Sequence, residues 1–137
     1  AIRRQRQMCI RDSLIVVKSK EGLEKVGKAA NIYQAPAAIV VCANKTKAWK
    51  RPFDGKITTD IDASILTDHM MLEATELGLG SVWICYFNPD ILKEELNLPE
   101  NLEPVNILAL GYSDELDASA ERHKDMRIGM DELVSYL

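Results

Sequence analysis

Long apolar runs, paired cysteines and an excess of basic charge are what this chain of 137 residues lacks. No apolar stretch approaches the ~20 residues that a helix needs to cross a bilayer. No apolar run with a small-residue cleavage site follows the arginines at the N-terminus, so no secretory leader is read. The three cysteines, Cys9, Cys42 and Cys85, are odd in number and widely spaced, with neither CxxC nor Cys/His ligand spacing. A disulfide framework and a metal centre are not expected, and a reduced, cytoplasmic compartment fits, with Cys42 and Cys85 as buried strand residues. Basic residues number 17 against 21 acidic ones. Nucleic acid is therefore not an expected partner, and any bound anion has to be held by local groups.

Catalytic signatures are equally scarce. No strand is followed by a glycine-rich phosphate loop. There is no GxSxG nucleophile elbow and no HExxH pair. His69 is a lone histidine beside Met70, Met71 and Leu72 and reads as a core or interface residue. His123 lies in a polar stretch, Cys85 has no base near it in sequence, and no carboxylates are spaced for acid–base work. The basic stretches 49–51 (WKR) and 123–127 (HKDMR) are weak anion-binding candidates, because a charged loop is usually only solvated. If the protein is an enzyme, a bound cofactor carries the hard chemistry.

The most informative segment is Asp60–Phe87, DIDASILTDHMMLEATELGLGSVWICYF. It reads as a long helix, apolar on most faces, that stops at a glycine signal and turns directly into a strand. Such a helix is expected to be covered by its own core and by a partner subunit. Thr58 or Thr59 caps it, Asp60 and Asp62 favour its dipole, and Gly78 and Gly80 end it. The corner after it suits a flat cofactor or plain packing, and the residues alone leave both open.

Elsewhere, Leu14–Val17 and Ala37–Ala43 read as buried strands, separated by a helix over Ser19–Tyr33 that Ser19 caps. Asn44–Thr59 is a polar loop, Ser81–Phe87 a third strand, and Pro104–Tyr112 a fourth. Asn88-Pro89 starts a short helix over Asp90–Leu96, as N-cap and first helical residue. Ser113–Lys124 reads as surface loop and Met130–Tyr136 as a helical turn or an extended tail. Alternation of strands and helices suggests a doubly wound sheet. The missing phosphate loop and the irregular connection after Cys42 make an α+β sheet with helices on both faces at least as good. Residues 1–13 hold four of the seven arginines and join the pattern poorly. RQRQMCIRD resembles a translated sequencing-adapter peptide, so 1–13 is read as foreign or disordered and 14–137 as the domain; a basic arm is the other reading.

From Leu14 onward the chain resembles the FMN-dependent nitroreductase family. The resemblance rests on APAAIVVCA at 35–43, AWKRPFDGK at 48–56, the helix and corner at 60–84, FNPDILKEELNLPE at 87–100, PVNILALGY at 104–112 and ERHKDMRIGMDELVSYL at 121–137. It implies an α+β fold with a mainly antiparallel central sheet flanked by helices and a long core helix at a homodimer interface, where FMN touches both chains. Ile84, Cys85 and Tyr86 match the segment whose backbone approaches the flavin ring, with Gly80 and Ser81 forming the corner before it. A backbone N–H there would favour reduced flavin. Arg127 matches the residue that grips the FMN phosphate, assisted by Lys124, and Asn31 falls near a flavin-contacting position. Trp49, Arg51 and Phe53 line the acceptor or nicotinamide site, or form an ordinary surface loop. The implied activity is ping-pong electron transfer from NAD(P)H to a nitroaromatic, a quinone or a similar small electrophile. A non-catalytic flavin-binding or dimerising remnant, and another flavin reaction such as dehalogenation or dehydrogenation, are the alternatives. The family's N-terminal Arg-Ser-x-Arg helix and its Gln-Pro-Trp segment have no counterpart here, so an incomplete member is expected.

Overall fold

A computed structural model describes residues 12–113, 119 and 121–136. Cys9 and the arginines of the first eleven residues lie outside them. The strands are β1 (Asp12–Val17), β2 (Ala37–Asn44), β3 (Gly80–Ile84) and β4 (Leu102–Gly111). The helices are α1 (Lys20–Ala29), α2 (Thr59–Glu76), α3 (Pro89–Glu95), α4 (Arg122–Met126) and α5 (Met130–Leu133). The sheet order is β1-β2-β4-β3, and every neighbouring pair is antiparallel. The doubly wound alternative is thereby excluded in favour of α+β.

β2 and β4 are the central strands, and their continuous apolar runs are buried on both faces, as expected where each face carries a helix. Val40 and Ile84 both sit opposite Ile107, and these side chains join Val26 of α1 and Leu92 of α3 in the main core. Full burial of a side chain such as Leu92 contributes about 1.5–3 kcal/mol. Alternate residues, among them Leu108 and Asn106, face the other way. There α2 packs across β2, β3 and β4. Between Val41 and Cys42 the β2–β4 register shifts, next to the Cys42–Pro104 pair. Proline has no N–H for the ladder, and a bulge absorbs that loss.

Several boundaries are set by local chemistry. Ser19 Oγ accepts from Gly22 N at 3.1 Å and starts α1. Asn88 Oδ1 accepts from Asp90 N and Ile91 N, with Pro89 as the first helical residue, and starts α3. At the end of α2, Gly78 N donates to Thr75 O at 3.0 Å and Leu79 N to Ala74 O at 2.8 Å, with Gly78 at φ 72°. This paired capping geometry needs the left-handed residue that glycine supplies. Gly80 takes no part in it and is instead the first residue of β3.

Other expectations are corrected. β1 is an edge strand, not a buried one: Leu14 and Val16 are exposed, and it begins at Asp12. α1 stops at Ala29 rather than Tyr33, because the backbone is already extended at Ala30, with φ −151° and ψ 153°, and Tyr33 and Gln34 then turn left-handed at φ 55° and 57°. β3 ends at Ile84, which leaves Cys85 exposed rather than buried in a strand, whereas Cys42 is buried as expected. The polar stretch after Ser113 contains a helical turn, α4, over its last described residues. α2 is not covered on most faces within one chain. Only Ala63, Thr67 and Ala74 are buried, while Ile61, Ile65, Leu72 and Leu77 are exposed. His69, also exposed, is no core residue of the single chain.

Candidate functional site

Strand β3 lies at the edge of the sheet, so its outer row of backbone N–H and C=O groups has no strand partner among the described residues. An unpaired edge is a ready hydrogen-bonding surface. Two grooves flank the segment that follows α1 and passes near this edge. The first, of about 480 Å³, is lined by Tyr33, Gln34, Gly80, Ser81, Gly111 and Tyr112 among others. The second, of about 680 Å³, is lined among others by Lys28, Asn31, Tyr86, Phe87 and Asn88.

The floor of the first groove depends on small residues. A Cβ on Gly111 would sit 2.8 Å from Pro36 Cδ, and a Cβ on Gly80 would meet Gly111 O at 3.4 Å. The segment before β2 is thereby drawn tight against the ends of β4 and β3. Within it, Asn31 Oδ1 accepts from Tyr33 N at 2.9 Å, and Ala35 N donates to Ile32 O at 3.0 Å. Tyr33 and Gln34 are consecutive left-handed residues and neither is glycine. Such geometry costs about 1–2 kcal/mol per residue.

The expected site residues are only partly gathered. Gly80 and Ser81 line the first groove, and Asn31 and Tyr86 the second. Ile84 is buried in the core beside Leu92, so only its backbone is available to a ligand. Cys85 follows it with an exposed free thiol, and Tyr86 is 97% exposed. Lys124 and Arg127 are exposed and line neither groove. Lys124 pairs with Glu121, while Arg127 makes no ion pair with a described residue.

Trp49, Arg51 and Phe53 belong to a third place, the loop between β2 and α2. Lys50 and Ile57 form a bridge, Arg51 N donates to Lys56 O at 3.0 Å, and Gly55 N donates to Arg51 O at 2.8 Å. The Arg51 guanidinium is committed to Asp54, which it holds below the usual carboxylate range. It is therefore a brace for this small hairpin, at whose tip Phe53 is 96% exposed. Tyr33, Gln34 and Tyr112 line a groove but stood out in no sequence pattern. The spacing of Asn31 and Tyr33, which suits a side-chain-closed turn, was the available signal.

Among the described residues no group of three or more metal-ligating side chains is found, and no helix is long and apolar enough to cross a membrane. The buried Cys42 thiol, pushed up to about 11 by desolvation and by Glu103, is no nucleophile at neutral pH.

A model described as "Nitroreductase family" matches residues 3–112. A crystal structure of a nitroreductase family protein from Clostridium difficile 630 superposes with a TM-score of 0.88 at 62% identity, covering 92% of this chain and 73% of that one. An FMN-dependent nitroreductase from Clostridium difficile R20291 gives a TM-score of 0.63 at 29% identity, covering 85% and 74%. A relative from Archaeoglobus fulgidus, provisionally named NADH dehydrogenase/NAD(P)H nitroreductase, is 38% identical over 112 residues, covering 75% of this chain. The chain spans 62% of that relative's length.

Proposed function

The chain belongs to the nitroreductase family, and on that premise we propose that it is an FMN-dependent oxidoreductase that moves electrons from NAD(P)H to a small electrophile. A nitroaromatic or a quinone is the class of acceptor, and the order is ping-pong. The observation that carries this reading is the free edge of β3 with a groove toward each of its ends. A flat heterocycle with donors and acceptors on its rim matches an unpaired strand edge better than an apolar packing corner does.

FMN, when bound, supplies the hydride-accepting and electron-donating centre. The residues present fit such a group. Gly80 lines the first groove without a side chain, and the exposed residues Cys85 and Tyr86 would offer backbone polar groups to a ring edge. Tyr86 would border the ring, and Asn31, whose Oδ1 holds Tyr33 N, would act on the site through that turn. Arg127, which makes no ion pair with a described residue, would hold the phosphate, and Lys124 would assist by exchanging Glu121 for it. Phe53, Trp49 and Arg51 would border the acceptor from the hairpin, which Arg51 also braces through Asp54.

A homodimer is part of the same proposal. Ile61, Ile65 and Leu72 recur at helical spacing on α2 and are exposed in the single chain. A second copy of the chain laid on this face would remove that apolar surface from water.

Titration of the purified chain with FMN, followed by flavin fluorescence, tests the reading. Binding, and bleaching of the flavin bands by NADPH without oxygen, are the expected results; a chain that binds no FMN refutes it. Arg127→Ala should weaken FMN by about 10- to 150-fold, the range for one charge-assisted bond of about 1.5–3 kcal/mol. Undiminished affinity would remove Arg127 from the site.

A further inference from the structure

We propose that Tyr33 is a ligand-contacting residue of the first groove, with Asn31 acting through it as a positioning residue. The ligand class is a flat conjugated ring, and the proposal rests on the flavin reading above.

Tyr33 and Gln34 hold left-handed backbone geometry that glycine would adopt freely, yet neither is glycine. Packing does not explain the choice at Tyr33, since its side chain is 62% exposed. If the segment served only to join α1 to β2, glycine at this position would serve it better. Strained backbone with an exposed side chain is the pattern of groups kept for contact.

Three features hold the strain in place. Ile32 is buried below the turn, Pro36 is wedged against Gly111, and Asn31 Oδ1 holds Tyr33 N at 2.9 Å. Asn31 therefore spends its acceptor on the turn. Tyr33 and Tyr112 are both exposed and line one groove with the backbone of Gly80 and Gly111 between the strands. Aromatic walls over a backbone floor suit an aromatic ring.

The test measures binding of lumiflavin, which has the ring without a phosphate, to the FMN-free chain, and of 4-nitrobenzoate to the FMN-loaded chain. Tyr33→Gly removes the ring while relieving the backbone, so its melting temperature should equal or exceed that of the parent. Its affinity for lumiflavin or for nitrobenzoate should fall about fivefold to tenfold, and Tyr33→Phe should restore it. The ring source is the flavin if lumiflavin suffers and the acceptor if only nitrobenzoate does. Asn31→Ala should produce a similar loss and add nothing in the Tyr33→Gly background. Asn31→Asp and Asn31→Ser, which keep an oxygen acceptor, should recover most of it.

Unchanged binding of both probes to Tyr33→Gly overturns the proposal while leaving the flavin reading intact. So does a full extra loss from Asn31→Ala in the Tyr33→Gly background, which would make Asn31 a direct ligand. A parent chain that takes up no FMN overturns both.

Discussion

Arg51 donates to the carboxylate of Asp54 through both Nε, at 2.8 Å, and Nη2. The same Asp54 Oδ1 accepts from Lys56 N at 3.1 Å. One carboxylate thus closes the hairpin that displays Phe53. Asp54→Ala should leave global stability almost unchanged, as exposed ion pairs contribute little. It should loosen the loop, so limited proteolysis near residues 50–56 should accelerate several-fold. Equal cleavage rates would mean that the backbone bonds alone fix the hairpin.

Gly78 sets the exit from α2. Nothing lies within 4 Å of a Cβ built there, so the cost of a side chain is purely conformational. With φ at 72°, Gly78→Ala should destabilise the fold by about 1–2 kcal/mol. Gly27, inside α1 and equally unobstructed, should show the opposite sign, gaining about 0.5–1 kcal/mol on substitution by alanine. Urea unfolding of both variants checks the contrast, and equal shifts would contradict it.

Thr67 and Asn106 form a polar island under α2. Their side chains are buried, with Thr67 Oγ1 3.1 Å from Asn106 Oδ1 and 2.8 Å from Ala63 O. Asn106 Nδ2 is buried without a partner among the described residues. Thr67→Val should cost about 1–3 kcal/mol by leaving Asn106 unsatisfied. The double variant Thr67→Val with Asn106→Leu should recover much of that loss, because both unmet polar groups disappear together. A double variant worse than the sum of the singles would show that the cavity cannot take the leucine.

The legible features were those with local chemical causes. Ser19 and Asn88-Pro89 announce their helices through side-chain caps, and Gly78 announces a helix end through its backbone freedom. The runs 37–43 and 104–112 signal strands, and the structure places both at the centre of the sheet, where burial on both faces leaves little polar alternation. What hid was set by tertiary placement. Leu14 and Val16 look like core residues, yet β1 falls at the sheet edge. The partner of Arg51 is equally hidden, since only the folded loop brings Asp54 to its guanidinium. Tyr33 carries no signal of its own, since its left-handed backbone follows from Asn31 and from Pro36 meeting Gly111.

Glu103 ties three segments together and gives stability a pH dependence. Its carboxylate accepts from Lys93 Nζ at 2.6 Å and pairs with Lys45 Nζ at 2.9 Å. Lys45 and Lys93 hold it below the ordinary glutamate range. A carboxyl depressed in the folded state binds fewer protons there than in the unfolded chain. Its contribution is therefore complete above the unfolded value and is lost as pH falls through the folded one. Because Glu103 and its lysines are partly solvated, the contribution is about 1 kcal/mol. Glu103→Gln should lower the urea midpoint at pH 7, and the gap to the parent should close as pH falls below the depressed folded-state value of Glu103, where both side chains are neutral. Sodium chloride at about 1 M, where the screening length falls to about 3 Å, should narrow the gap at pH 7 as well. A difference that persists undiminished in acid would trace the loss to packing around β4 and would remove charge from the account.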